Sequence, residues 1–82
     1  MIKVKYLAII ADVVGLQEEL VGIGDKLTVE DLVNLLKRRH PQLQLIEKQI
    51  PVLVLVNGEL VDMSYKISSG DEVALTPPMS GG

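Results

Sequence analysis

The stretch TVEDLVNLLKRRHP, residues 28–41, carries the strongest local signal in the 82-residue chain. Its apolar residues recur at helical spacing and form one stripe, made by Val29, Leu32, Val33 and Leu36. Thr28 followed by Asp31 matches a capping box, and the basic run before His40 suits the negative end of a helix dipole. Pro41 disfavours helical backbone at His40, so a helix of about three turns is predicted to end there.

Strand-like segments precede this helix. Residues 2–8 alternate between two faces, which is typical of a half-buried strand. The pattern breaks near Gly15, as at a turn. Residues 16–23 are predicted to form a second, antiparallel strand, because Gly15 suits a hairpin and Gly22 would weaken a helix. A short helix is the competing prediction for the same residues.

Three further strands are predicted downstream of the helix. Residues 52–56 form a continuous apolar run, as expected of an interior strand. The Asn57-Gly58 pair that follows tolerates positive φ and favours a tight hairpin, with a short return strand at residues 59–62. The last strand is predicted at residues 72–76, because the proline pair beyond it cannot donate to a ladder.

The order strand, strand, helix, strand, strand, strand leaves one amphipathic helix to cover one face of the sheet. With a right-handed crossover, the predicted fold class is α+β, a ubiquitin-like β-grasp whose mixed sheet of about five strands carries one main helix on one face. The domain is predicted to span residues 1–76. Parity places one set of side chains under the helix: Ile2, Val4, Tyr6, Val73 and Leu75. The opposite, uncovered face receives Lys5, Leu7, Ala74 and Thr76.

Composition argues against several classes of function. The net charge is −3, and the chain has two tyrosines but no phenylalanine or tryptophan, so a nucleic-acid surface lacks both its charge and its stacking platforms. The absence of cysteine excludes disulfides and thiolate metal ligands within the chain. No apolar run approaches the roughly 20 residues that span a bilayer. We expect a cytoplasmic protein that binds neither nucleic acid nor a membrane.

The body of the domain offers no catalytic constellation in sequence, and no metal site is predicted. His40 has no neighbouring nucleophile or second histidine, and is interpreted as a solvated cation near the helix end. The basic residues 37–39 are interpreted as a solvated helix end. Asp62 and the pair Asp71-Glu72 are interpreted as turn residues, since aspartate stabilises turns through its own side chain. Chemistry is therefore expected at the C-terminal tail.

The segment PPMSGG, residues 77–82, is predicted to be an extended, flexible tail. Proline restricts φ and lacks a donor, so the chain should leave the domain rather than fold back. Gly81 and Gly82 have no side chains and can enter a narrow channel in another protein. A terminal carboxylate has a pKa of roughly 3.3–3.7 and must be activated before transfer. Reaction with ATP would give an acyl-adenylate, and sulfur delivery would give a thiocarboxylate, both through partners.

Several segments resemble one family. The ending GDEVALTPPMSGG, the opening MIKVKYLA, the helix TVEDLVNLLKRRHP and the hairpin VNGELV are similar to those of molybdopterin synthase small subunits, the MoaD branch of the MoaD/ThiS ubiquitin-like sulfur carriers. The resemblance implies that a ubiquitin-activating-type enzyme consumes ATP to adenylate Gly82, and that a sulfurtransferase supplies the sulfur of a thiocarboxylate. The large subunit of molybdopterin synthase would pass this sulfur to the precursor pterin, which builds the dithiolene of the molybdenum cofactor. This chain itself would bind no cofactor.

The resemblance also implies site residues. Gly82 would be the adenylate and thiocarboxylate site, and the residues entering the partner's channel would be Ser80, Gly81 and Gly82. The partner interface would comprise Leu7, Leu60, Thr76, Pro77, Pro78 and Met79. Two segments depart from the family's pattern. Leu7 and Leu75-Thr76 stand where aromatic residues are common, and residues 10–14 replace an Arg-Glu-Leu-like stretch.

Three alternatives share the same tail. A ubiquitin-like protein modifier would be joined through Gly82 to lysines of other proteins. A thiamine-pathway sulfur carrier would also end in Gly-Gly, but Pro77-Pro78 argues against it. The last alternative is a β-grasp binding domain whose tail has no chemical role.

Overall fold

The computed structural model describes residues 1–24 and 27–78, so the predictions on Met79, Ser80, Gly81 and Gly82 lie outside the described residues. The described chain forms a five-stranded sheet, a two-stranded sheet and three helices. In chain order the elements are β1 (Ile2–Tyr6), α1 (Ile9–Val14), β2 (Glu18–Val21), β3 (Leu27–Thr28), α2 (Val29–Arg39), α3 (Pro41–Glu47), β4 (Leu53–Val56), β5 (Glu59–Leu60), β6 (Lys66–Ile67) and β7 (Glu72–Thr76).

The larger sheet has the strand order β2-β1-β7-β4-β5. The first and last strands, β1 and β7, lie side by side and run parallel, whereas the remaining neighbours are antiparallel. The apolar stripe of α2 packs into the same core as the inner face of this sheet. A mixed sheet with one main helix on one face is the β-grasp arrangement, so the predicted fold class is confirmed.

Helix α2 begins and buries its stripe as the sequence predicts. The Thr28 hydroxyl accepts a hydrogen bond from the Asp31 N–H at 3.1 Å, and the Asp31 carboxylate accepts one from the Thr28 N–H at 3.1 Å. These two bonds complete the capping box. The stripe is buried, as are the inner-face residues assigned by parity, each at most 2% exposed: Ile2, Val4, Tyr6, Val73 and Leu75. The core is therefore closed mainly by branched aliphatic side chains.

The connection between β1 and β2 differs from the predicted hairpin. β1 ends at Tyr6, and α1 follows, whereas the alternation suggested a strand to Ala8 and then a turn. Ala8 adopts φ 53°, which ends the extended backbone, while Ile10 and Val14 lie one helical turn apart and are buried. A six-residue helix is too short for its period to stand out from strand-like alternation. The strand predicted beyond Gly15 is confirmed as β2, with narrower bounds.

Other short elements were not predicted from the sequence, or were predicted with other bounds. Pro41 closes α2 as predicted, but it is also the first residue of α3, where its missing N–H is no loss. The return strand after the Asn57-Gly58 turn covers Glu59–Leu60 instead of residues 59–62. A small sheet pairs Leu27 of β3 with Ile67 of β6. Elements of two residues have no period, so only the tertiary pairing reveals them.

The longest described helix, α2, has 11 residues. A bilayer span requires about 20 apolar residues. Within residues 1–24 and 27–78, no helix combines the length and apolar character needed to cross a membrane.

Candidate functional site

Pro77 and Pro78, the described start of the predicted tail, follow the point where β1 and β7 end together. Because these strands are parallel, their carboxyl ends lie at the same end of the sheet, and the Leu7 N–H donates to the Leu75 carbonyl at 3.0 Å. Thr76 ends β7, Pro77 is half-buried and Pro78 is exposed. The structure therefore brings Leu7 next to the first residues of the tail.

The uncovered face of the sheet is apolar near this tail exit. The strand register aligns Lys5, Ala74, Leu55 and Leu60 in one row across the face. The Leu7 side chain is 39% exposed and that of Leu60 is 65% exposed. The parity prediction for Lys5, Leu7 and Ala74 is confirmed. We define the apolar patch as the part of this face formed by Leu7, Leu53, Leu55, Leu60 and Ala74.

Thr76 differs from the other residues assigned to this face. It pairs with Leu53 of β4, which agrees with its assignment to this face by parity, but it is only 4% exposed. Parity assigns a residue to a face and does not determine how closely its neighbours cover it. The Thr76 hydroxyl donates to the Pro77 carbonyl at 3.0 Å. Thr76 therefore holds the start of the tail, and its place in an interface stays a prediction.

The opposite end of the uncovered face is charged. The Lys5 Nζ lies 2.7 Å from the Glu72 carboxylate, and the Lys3 Nζ lies 3.9 Å from that of Glu18. The hydrogen bond and charge of Glu72 raise the pKa of Lys5, and those of Lys5 lower the pKa of Glu72. Exposed pairs of this kind add little stability. Their effect is to border the apolar patch with matched charges.

His40 is largely shielded from solvent, so its interpretation as a solvated residue near the helix end was wrong. Its Nε2 lies 2.6 Å from Oε2 of Glu19, and the same oxygen accepts the Tyr6 hydroxyl at 2.6 Å. Arg39 donates to the other carboxylate oxygen of Glu19 at 2.9 Å. The side chains of Glu19 and His40 are each 14% exposed. These four residues, Tyr6, Glu19, Arg39 and His40, form the Glu19 cluster, which joins β1, β2 and the junction of α2 with α3.

The charge state of the Glu19 cluster follows from its surroundings. Burial disfavours the charged carboxylate, but hydrogen bonds from Tyr6, Arg39 and His40 outweigh it and hold the pKa of Glu19 below its usual range. Burial, followed by the bond to Glu19, raises the pKa of Tyr6. The Tyr6 and His40 rings meet edge to face with centroids 5.9 Å apart. Tyr6 is the residue from which the sequence could have indicated this cluster, since a tyrosine at a buried position needs a partner for its hydroxyl.

The basic end of α2 is only partly solvated. Lys37 forms an ion pair with Glu47 of α3, and Arg39 forms one with Glu19 of β2. Arg38 is exposed. The interpretation of residues 37–39 as a solvated helix end is confirmed for Arg38 and Arg39, which are exposed, and was wrong for Lys37, whose side chain is 22% exposed beside Glu47.

Asp62 and Asp71 are turn residues, as interpreted, whereas Glu72 is the first residue of β7 and pairs with Lys5. The Asp62 carboxylate accepts hydrogen bonds from the Ser64 N–H and hydroxyl, which lower the pKa of Asp62. Asp71 accepts one from the Ser68 N–H at 2.9 Å. Among residues 1–24 and 27–78, no group of three or more acidic or histidine side chains is placed to hold a metal ion.

Comparisons with known proteins match the chain over nearly its whole length. The model of the ThiS family matches residues 4–82. Molybdopterin synthase sulfur carrier subunits of Chlamydomonas reinhardtii and Homo sapiens are 37% and 32% identical to it, and each alignment covers 99% of this chain and 98% or 93% of the relative.

A relative that is named as a protein modifier has a comparable sequence identity. Small archaeal modifier protein 1 of Haloferax volcanii is 34% identical, over 95% of this chain and 97% of its own. The crystal structure of SAMP1 from Haloferax volcanii superposes with a TM-score of 0.80 at 31% identity, covering 99% of this chain and 98% of that one. The chain therefore belongs to the ThiS family and shares the ubiquitin-like β-grasp fold.

Proposed function

We propose that this chain is the sulfur carrier subunit of molybdopterin synthase and that it acts through its C-terminal glycine. One combination supports the proposal: full-length similarity to molybdopterin synthase sulfur carrier subunits, in a domain whose last strand ends directly before the sequence PPMSGG. The polar clusters of the described residues are caps, turns and ion pairs, which stabilise the fold. The reacting group of the proposal is the carboxylate of Gly82.

The proposed chemistry begins with activation of that carboxylate. A ubiquitin-activating-type partner joins it to AMP from ATP and releases pyrophosphate, because a free carboxylate is a poor electrophile. A sulfurtransferase then supplies sulfur at the oxidation level of sulfide, which bonds to the carbonyl carbon of Gly82 as the bond to AMP breaks, and Gly82 ends in a thiocarboxylate. The thiocarboxylate donates its sulfur to the precursor pterin in the large subunit, where the dithiolene forms. ATP is consumed by the partner, this chain binds no cofactor of its own, and the reactions take place in the cytoplasm.

The large subunit is proposed to dock on the apolar patch. The patch adjoins the tail exit through Leu7, and its exposed leucines are side chains that an interface can bury. The four residues beyond Pro78 reach at most about 13–14 Å, so a partner that takes Gly82 into its active site must stand against this end of the domain. The interface residues are Leu7, Leu60, Thr76, Pro77, Pro78 and Met79, and those entering the channel are Ser80, Gly81 and Gly82.

Deletion of Gly82 tests the proposal. The assay is conversion of precursor pterin by the large subunit, with thiocarboxylated wild type as the reference. We expect the deletion variant to lose sulfur transfer and to keep the circular dichroism spectrum and thermal midpoint of the wild type, because Gly82 follows the last strand by six residues.

Gly22→Ala is the matched control, since an added Cβ there would meet nothing within 4 Å. It should transfer sulfur like the wild type. Full activity of the Gly82 deletion would overturn the carrier proposal.

The second candidate is a protein modifier, which the similarity to small archaeal modifier protein 1 favours. Both functions share the adenylate, and they differ in what receives the activated carboxyl group. Mass spectrometry of cell lysates separates them. Peptides from other proteins whose lysines are joined to Gly82 of this chain's C-terminal peptide would favour the modifier, and a terminal mass gain that matches replacement of one oxygen by sulfur would favour the carrier.

A further inference from the structure

The turn between β4 and β5 is tied to β7 by side-chain hydrogen bonds. Asn57, at φ 51°, and Gly58, at φ 85°, are the two residues that connect the strands. The Oδ1 of Asn57 accepts the Glu72 N–H at 3.0 Å, and its Nδ2 donates to Asp71 at 3.2 Å. The Asn57 N–H also donates to the Glu72 carbonyl at 2.8 Å. We name this set of three hydrogen bonds the Asn57 latch.

Asn57 is followed by Gly58, which makes the Asn57 side chain reactive. In an Asn-Gly pair the glycine nitrogen can attack the asparagine side-chain carbon, because no Cβ hinders the approach. A bond then forms between the Gly58 nitrogen and Cγ of Asn57, the Cγ–Nδ2 bond breaks, and ammonia leaves, which gives a cyclic imide. Water opens the imide to aspartate or isoaspartate. The net change is asparagine plus water giving the acid plus ammonia, with no oxidant or reductant.

We propose that Asn57 is a deamidation site which the latch protects in the native fold, and that its conversion to a carboxylate opens the turn irreversibly. Attack by the Gly58 nitrogen requires the side-chain amide to leave both Asp71 and the Glu72 N–H. Both turn residues are exposed to water, so the latch is what limits the reaction.

The aspartate product loses one bond of the latch, that from Nδ2 to Asp71, for an electrostatic reason. A carboxylate oxygen takes the place of Nδ2, which lies 3.2 Å from the Asp71 carboxylate, so two like charges replace a hydrogen bond. Isoaspartate also adds a main-chain carbon to a two-residue turn whose twist must match its strands. Either product favours the open hairpin.

The turn lies at one end of the uncovered face, so its opening changes that face. A groove there is formed by Leu55 and Ala74 of the apolar patch, by Lys5 and Glu72, and by the turn itself. The Glu72 carboxylate already lies beside Asp71 in sequence, and Lys5 is its ion-pair partner at 2.7 Å. A new carboxylate at position 57 adds negative charge to an end of the face that already holds two carboxylates, Asp71 and Glu72, against the one ammonium group of Lys5.

The rate of deamidation tests the protection. Full-length protein is incubated at mildly alkaline pH with and without denaturing urea, and each asparagine is followed by peptide mapping and mass spectrometry. Conversion of Asn57 should be at least about tenfold slower in the folded protein. This factor corresponds to a free energy of about 1.4 kcal/mol for local opening of the turn. Asn34 precedes Leu35, whose side chain hinders attack, and is the internal reference in both samples. Equal rates at Asn57 in the folded and unfolded protein would overturn the proposal.

A charge-swap pair tests the latch itself. N57D should lower the thermal midpoint by about 5 °C, which is about 1 kcal/mol for a domain of this size. Adding D71N should restore it, because the new amide donates to the carboxylate at position 57 and its oxygen still accepts the Ser68 N–H. N57D with the midpoint of the wild type, or failure of D71N to recover the loss, would contradict the latch.

Discussion

Glu19→Ala removes one acceptor that Tyr6, Arg39 and His40 share. Tyr6 is only 2% exposed, so its stranded hydroxyl should cost about 1–3 kcal/mol. The bond from Arg39 lies at the surface and should contribute roughly 0.2–1 kcal/mol. His40 loses a partly shielded partner, at about 1 kcal/mol. These contributions sum to about 2–5 kcal/mol. Because the three groups share one acceptor and do not add fully, the free energy of unfolding should fall by about 2–4 kcal/mol.

Urea and thermal unfolding, followed by circular dichroism at neutral pH, measure this loss. A domain of this size shifts its thermal midpoint by roughly 4–8 °C per kcal/mol, so the midpoint of Glu19→Ala should fall by about 10–30 °C. Tyr6→Phe removes the hydroxyl that the Glu19 change leaves unpaired. The double variant should therefore be less destabilised than the sum of the single variants by about 1 kcal/mol.

Glu18→Ala is the matched control. Glu18 is the neighbouring residue of β2, it is exposed, and its carboxylate lies 3.9 Å from Lys3. Its loss should change the free energy of unfolding by no more than about 0.5 kcal/mol. If Glu19→Ala matches Glu18→Ala, or if the double variant with Tyr6→Phe is additive, the Glu19 cluster does not hold these elements together and the reasoning is refuted.

Four further predictions concern single side chains. Because the pKa of Glu19 is lowered in the fold, its contribution to the free energy of unfolding is complete above about pH 4.3, the pKa of the unfolded chain, and is lost as the pH falls through the folded value. Urea unfolding across acidic pH should show this loss in the wild type, and an equal slope in Glu19→Ala would contradict it. The raised pKa of Tyr6 gives the opposite sign, with stability complete below about pH 10 and declining above it, and Tyr6→Phe should abolish that decline. Thr28→Ala should lower the free energy of unfolding by about 1 kcal/mol through loss of the cap, and Thr28→Ser should retain most of it. Leu60→Asp should weaken binding to the large subunit by about tenfold or more, whereas Leu45→Asp, an exposed leucine on α3, should bind like the wild type in the same titration.

The long elements and the turn could be predicted because their signals are local. The capping box of Thr28 and Asp31 and the helical stripe lie within one stretch of chain, and so does the Asn57-Gly58 turn. The period of the strands also determined which residues face α2. The short elements α1, α3, β3 and β6 were missed because two to seven residues carry too little pattern to separate helix from strand.

The candidate site also contains features that could be inferred from the sequence and features that could not. That the tail follows the last strand, and that Leu7 shares a face with Ala74, could be inferred from order and parity. The exposure of Thr76 could not, because burial depends on what strands β1 and β4 place beside it. His40 was misinterpreted for a related reason, since its partner Glu19 lies 21 residues away in sequence.

The sequence alone determined the capped helix, the faces of the strands and a tail that ends in two glycines, because each depends on residues close together in the chain. Only the tertiary structure decided that Glu19 joins Tyr6 to His40, that Asn57 closes its turn onto β7, and that the tail leaves beside the apolar patch. The antiparallel pairing of β1 with β2 brings Glu19 to Tyr6, and that of β4 with β7 brings Asn57 to Glu72. The parallel pairing of β1 with β7 places Leu7 beside the end of the last strand. No local pattern encodes the distance between groups so far apart in sequence.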